Sequence, residues 1–121
     1  MAQATILVVD DDEAILNSFA RVLEKRGYSV EMAATGQEAI ERCESNSYDL
    51  ALLDIKLPDM DGTQLLKELH ARHHTMIKIM VTGYASLDSA VQSLLLGAHG
   101  YVMKPVDPDK LLTIVADALK E

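Results

Sequence analysis

Five short apolar runs, TILVV (5–9), YSVEMA (28–33), DLALL (49–53), IKIMV (77–81) and YVM (101–103), alternate along the chain with segments of helix length. Parallel strands need a long crossover between them, and intervening helices supply it, so this alternation implies βαβ units and one parallel sheet. Ile15, Phe19, Val22 and Leu23 recur at helical spacing, as do Leu87, Ala90, Val91, Leu94 and Leu95. That spacing predicts one apolar face per helix, turned toward the sheet. Helix punctuation falls at the same boundaries. Thr35 with Glu38 reads as a capping box, Asp107 before Pro108 as an N-cap followed by a first-turn proline, and Gly27 and Gly97 as helix ends. The expected class is α/β, a (βα)5 doubly wound five-stranded parallel sheet, with residues 1–121 as one domain.

A chain of 121 residues, 49% hydrophobic and 25% charged, has the composition of a globular domain and enough length for one sizeable core. Eleven basic against nineteen acidic residues give a net charge of −8, and no Lys or Arg run provides the footprint that a phosphate backbone requires, so nucleic acid is not an expected partner. One cysteine, Cys43, leaves no internal disulfide framework. No stretch approaches the roughly 18 apolar residues of a membrane span. MAQATILVV lacks the basic lead and apolar stretch of an export signal, which makes the cytoplasm the expected compartment and a membrane an unexpected partner.

Open parallel sheets covered on both faces bind ligands outside the carboxyl ends of their strands. The predicted strands end at Asp10 and Asp11 in VVDDDEAI, Asp54 in ALLDIKLPDMDG, Thr82 in IMVTGYAS and near Lys104 in YVMKPVDP. Asp54 directly follows an apolar run, where an unpaired charge is penalised. Close carboxylates repel unless a cation lies between them, and a hard, oxygen-preferring ion such as Mg2+ suits an open site of this kind. Asp12 and Glu13 read as acids complementing the positive end of the following helix. With the cation in place, Asp54 can attack a phosphoryl group as a carboxylate nucleophile, while Lys104 neutralises its oxygens and the Thr82 hydroxyl donates to them.

VVDD, LLDIKLPDMDG, VTG and YVMKP, in this order and separation, resemble the receiver domain of bacterial two-component response regulators over essentially the whole chain. The resemblance implies the flavodoxin-like strand order 2-1-3-4-5. It implies that Asp54 accepts a phosphoryl group from a histidine kinase or phosphotransfer protein, in a reaction that needs Mg2+ or, as a substitute, Mn2+. Asp11, Asp54 and the backbone carbonyl of Lys56 would hold the metal directly, with Asp10 acting largely through water. Thr82 and Lys104 match the family's phosphate-contacting residues, and the Lys104–Pro105 bond is expected to be cis. Tyr101 matches the aromatic that turns inward when Thr82 moves toward the phosphate, changing the surface of the fourth helix, fifth strand and fifth helix for a downstream output domain or protein. Lys56 and Tyr84 sit where family members control access of water to the acyl phosphate, and a bulky Tyr84 would slow hydrolysis. The chain would promote its own phosphorylation and dephosphorylation without turning over a separate substrate, as a monomer or a phosphorylation-dependent dimer.

Other readings compete for single features. A receiver-like module could act through constitutive protein contacts, but such modules lose acidic or lysine positions that are kept here. DMDGT (59–63) resembles the signature of haloacid dehalogenase-type phosphatases, yet that signature follows an apolar strand directly, whereas Asp59 follows Pro58 and reads as part of a turn, with Gly62 supplying backbone freedom. His70, His73 and His74 fall near the end of the third helix, where positive charge is welcome, and Cys43 reads as a packing residue.

Overall fold

The computed structural model describes residues 3–83 and 86–120, apart from the side chain of Leu87. Its strands are β1 (Thr5–Val9), β2 (Ser29–Ala33), β3 (Leu50–Leu53), β4 (Ile77–Thr82) and β5 (Gly100–Met103), alternating with α1 (Glu13–Lys25), α2 (Gly36–Ser45), α3 (Gly62–Arg72), α4 (Leu87–Leu95) and α5 (Pro108–Leu119). The strands pair in parallel in the order β2-β1-β3-β4-β5, as the resemblance implied. Successive side chains of a strand point to opposite faces. Ile6 and Val8 of β1 therefore enter a core with Leu16, Phe19 and Leu23 of α1 and Leu111 and Val115 of α5, while Leu7 and Val9 enter a second core with α2 and α3. Burial on both sides explains why the central strands read as unbroken apolar runs.

Helix ends follow the sequence signals with two refinements. Asp12 is the N-cap of α1, its Oδ1 accepting from the backbone N–H groups of Ala14 (2.9 Å) and Ile15 (3.4 Å). Thr35 accepts from the Glu38 N–H at 3.0 Å, but the Glu38 carboxylate turns to the N–H of Ala34 instead of completing a box with Thr35. Gly27 and Gly97 adopt φ of 99° and 111°, the left-handed conformation that ends a helix and that glycine tolerates best.

The face of α4 differs from the expectation. Leu94 and Leu95 point outward, 55% and 82% exposed, while Ser93 is fully buried. Ser89 and Ser93 lie one turn apart, and the Ser89 hydroxyl is 2.6 Å from the Tyr101 hydroxyl on β5. That contact turns the serine side of the helix toward the sheet. The Ser93 hydroxyl has no hydrogen-bond partner among the described residues, and a buried, unpaired hydroxyl costs about 1–3 kcal/mol. Ser93→Ala should therefore raise stability by about 1 kcal/mol, measured as a higher Tm and denaturation midpoint.

Lys78 is a second departure, because the run IKIMV reads as an apolar strand yet this side chain is fully buried within it. Its ammonium donates to the His73 carbonyl at 3.0 Å and lies 3.1 Å from His70 Nδ1, and among the described residues no carboxylate reaches salt-bridge distance. Burial lowers the Lys78 pKa. Beside an ammonium, His70 serves as a neutral acceptor, not as the helix-end cation expected from sequence. Desolvation, then the charges of Lys78, His74 and His99, hold the His70 pKa below the usual 6.5. The unfolded chain binds this proton more readily than the folded one, so stability falls as pH drops through about 6.5 toward the depressed folded value. His70→Asn keeps an acceptor without the titration. Denaturant unfolding of native and variant chains between pH 7.5 and 5.5 should show a shallower decline for the variant.

Candidate functional site

The chain leaves β1 for β2 on one side and later returns to β3 on the other, so the ends of β1 and β3 flank the point where the topology switches direction. Asp10 and Asp54 stand there side by side. Their backbone N–H groups extend the sheet, Asp10 donating to the Ala33 carbonyl and Asp54 to the Val9 carbonyl, each at 3.1 Å. Both side chains are buried, and with the exposed Asp11 they offer carboxylate oxygens all within 4.8 Å of one another. Lys104, just past β5, donates to Asp10 Oδ2 at 2.5 Å and to Asp54 Oδ2 at 3.2 Å. Its own N–H donates to the Thr82 carbonyl at 2.9 Å, and the Lys104–Pro105 bond is cis.

The remaining acceptors are engaged as well: Asp54 Oδ1 by the Ile55 N–H (2.7 Å) and Asp10 Oδ1 by the Asp12 N–H (2.9 Å). Burial pushes the Asp10 pKa above the usual carboxylate value, outweighing the Lys104 bond, the Asp12 N–H and the Lys104 charge. Burial also opposes the charge on Lys104, but its bond to Asp10 and the charges of Asp10 and Asp54 prevail and raise its pKa. When ionised, the three carboxylates carry −3 and Lys104 returns +1, leaving −2. An all-oxygen donor set with that residual charge fits a hard divalent cation.

The loop from β3 to α3 closes on itself beside this cluster. Lys56 and Asp61 face each other as an isolated antiparallel backbone β-bridge, with Leu57 N–H donating to the Met60 carbonyl (3.3 Å) and Gly62 N–H to the Ile55 carbonyl (2.5 Å). Gly62 is required for close approach and not, as expected, for backbone freedom: its φ is not in the left-handed region, whereas a Cβ there would overlap the Asp54 carbonyl and come within 2.7 Å of Ile55 Cα. Asp59 binds the first N–H groups of α2, Gly36 (2.8 Å) and Gln37 (2.9 Å), so it acts as a cap.

Residues 6–116 match the response regulator receiver domain family. The chain belongs to that family. It is 38% identical over 117 residues to the transcriptional regulatory protein ZraR of Klebsiella oxytoca, covering 97% of this chain and 26% of that protein. It is 35% identical to the acid tolerance regulatory protein ActR of Rhizobium meliloti, covering 89% of this chain and 56% of that one. The chain therefore spans about a quarter to a half of these curated relatives. A CheY-like receiver domain from Methanospirillum hungatei JF-1 superposes with a TM-score of 0.96 at 51% identity, covering 98% of this chain and 95% of that one. The BeF3-activated DrrB receiver domain superposes at 0.91 with 27% identity, over 99% and 100% of the two chains.

In this receiver domain, Thr82 is fully buried at the end of β4, and Tyr101 is half-buried on β5 opposite Met80. Tyr84 lies outside the described residues. Lys56 is exposed, two residues beyond Asp54. The carboxylate cluster is the metal-competent group among the described residues, and the histidines of α3 are not part of one. Cys43 is buried, with its thiol pushed up to about 11 by burial, which suits a packing residue. Residues that sequence reasoning missed are Lys78 and Ser89; a lysine inside a strand pattern was the available signal for the first. No helix among the described residues is long and apolar enough to cross a membrane. Gly62→Ala should destabilise the chain by at least about 2 kcal/mol, because the added methyl meets backbone that cannot swing away; a lowered denaturation midpoint in urea would register it.

Proposed function

We propose that this receiver domain takes a phosphoryl group onto Asp54 from a histidine kinase or phosphotransfer protein, in a Mg2+-dependent reaction, and signals through the surface of α4, β5 and α5 to a downstream output domain or protein. The observation that carries this reading is a buried Asp54 carboxylate held by Lys104 beside two further acids, with two negative charges left for a cation. An Asp54 oxygen attacks phosphorus; the new O–P bond forms as the P–N bond to the donor imidazole breaks, and the nitrogen leaves with the electron pair. Lys104 neutralises charge on the phosphoryl oxygens, and the Thr82 hydroxyl donates to them. Mg2+, or Mn2+ in its place, supplies further charge neutralisation when bound. Asp11, Asp54 and the Lys56 carbonyl would hold the ion directly, with Asp10 acting through water, and the close grouping of the three carboxylates supports this set.

An apolar groove of about 470 Å3 between α1 and the β5–α5 connection, lined by Ile15, Phe19, Pro105 and Val106, runs up to Lys104 and offers the phosphodonor a surface beside the acceptor. Thr82 and Tyr101 form the switch. Movement of Thr82 toward the phosphate frees space for Tyr101, and Tyr101 already contacts the first turn of α4 through Ser89. Lys56 and Tyr84, two residues beyond Asp54 and Thr82 in the sequence, control access of the water that ends the signal. The domain promotes both its phosphorylation and its dephosphorylation and turns over no separate substrate. Intact mass after incubation with Mg2+ and a small phosphodonor should show one added phosphoryl group, absent in Asp54→Asn and after chelation. An adduct that persists in Asp54→Asn would overturn the assignment.

A further inference from the structure

Asp59 takes no part in the proposed acceptor chemistry, yet it ties the β3–α3 loop to the start of α2. Its exposed carboxylate accepts from two successive N–H groups, Gly36 at 2.8 Å and Gln37 at 2.9 Å, across 23 and 22 residues of sequence. These are donors that the first turn of a helix cannot satisfy internally, and Thr35 takes only the N–H of Glu38. The bonds to Gln37 and Gly36 hold the Asp59 pKa below the usual carboxylate range, as two N–H donors to one carboxylate should. The neighbouring Met60 rests on Gly36, where a Cβ would come within 2.5 Å of its side chain. Helix α2 is a firm anchor, seated in the core by Ala39, Ile40 and Cys43. The loop so anchored is the closed turn in which the backbones of Lys56 and Asp61 pair as an antiparallel β-bridge.

We propose that Asp59 is a positioning residue for the acceptor site: by tying the β3–α3 loop to α2, it holds in place the segment that presents the Lys56 carbonyl to Mg2+. This rests on the reading of that carbonyl as a metal ligand given above. Without the tie, metal binding has to order the loop, and affinity drops by the cost of ordering. Asp59→Asn is nearly isosteric and surface-exposed; it replaces one acceptor oxygen with an amide donor and removes the charge.

Calorimetric Mg2+ titration of the native chain, Asp59→Asn and Asp54→Asn tests the proposal, with thermal unfolding recorded in chelator. Asp59→Asn is expected to bind Mg2+ about three- to tenfold more weakly, less than the ~10–100-fold typical of a group bonded directly to a ligand side chain, and to recover the native phosphorylation yield at saturating Mg2+. A native Mg2+ affinity in Asp59→Asn, even with a lowered Tm, would reduce Asp59 to a helix cap and overturn the proposal. Absence of Mg2+ binding in the native chain would overturn the metal reading itself, and the role of Asp59 with it.

Discussion

Buried like charges at one end of a parallel sheet need a counterion, and Lys104 is the one the chain provides. From the end of edge strand β5 its ammonium reaches across β4 to Asp54 just past β3 and Asp10 just past β1, closing the carboxyl edge of the sheet with bonds of 3.2 and 2.5 Å. One ammonium cannot balance three carboxylates, so the same contact that makes the fold tolerable leaves the site two charges short. That deficit leaves room in the charge balance for a divalent ion, while Lys104 and the Ile55 N–H fix the orientation of the Asp54 carboxylate.

The surroundings divide into a rigid side and a loosely held side. On the rigid side, Gly62 lets the backbone of α3 press against the Asp54 carbonyl, and Asp59 with Met60 ties the intervening loop to α2. On the other side, α4 is only nine residues long, buries a serine without a partner and leaves Leu94 and Leu95 to solvent. Among the described residues, its side-chain hydrogen bond to β5 is the Ser89–Tyr101 contact. A helix so weakly docked belongs to the low-stability end of the structure, from which switching elements are drawn.

Lys78 shows a different compromise. A fully buried ammonium that relies on a carbonyl and an imidazole is a poor arrangement for stability, and it makes the α3–β4 junction sensitive to acid. It also sets the role of His70, whose ring packs so closely on Gly97 that a Cβ there would meet it at 2.5 Å.

Much of the fold and the grouping of side chains at the candidate site was legible in the sequence because both rest on local rules. Short apolar runs and period-3.6 patterning separate strands from helices, Thr35 and Asp107 mark helix starts through a side chain within reach of the next turn, and a parallel α/β sheet sends every strand end to one edge, so Asp10, Asp54, Thr82 and Lys104 had to meet there. What the sequence could not show depends on contacts between segments far apart. Which side of α4 faces inward was settled by Tyr101 meeting Ser89, against the pull of a leucine-rich stripe. The role of Gly62 required the Asp54 carbonyl beside it, that of Asp59 required the start of α2 within hydrogen-bond reach, and the burial of Lys78 required His70 and the His73 carbonyl around it. Local pattern determines which elements form and where their ends point; only the packed structure decides which polar atoms find partners, because a hydrogen bond depends on ångström-scale geometry that residue type does not encode.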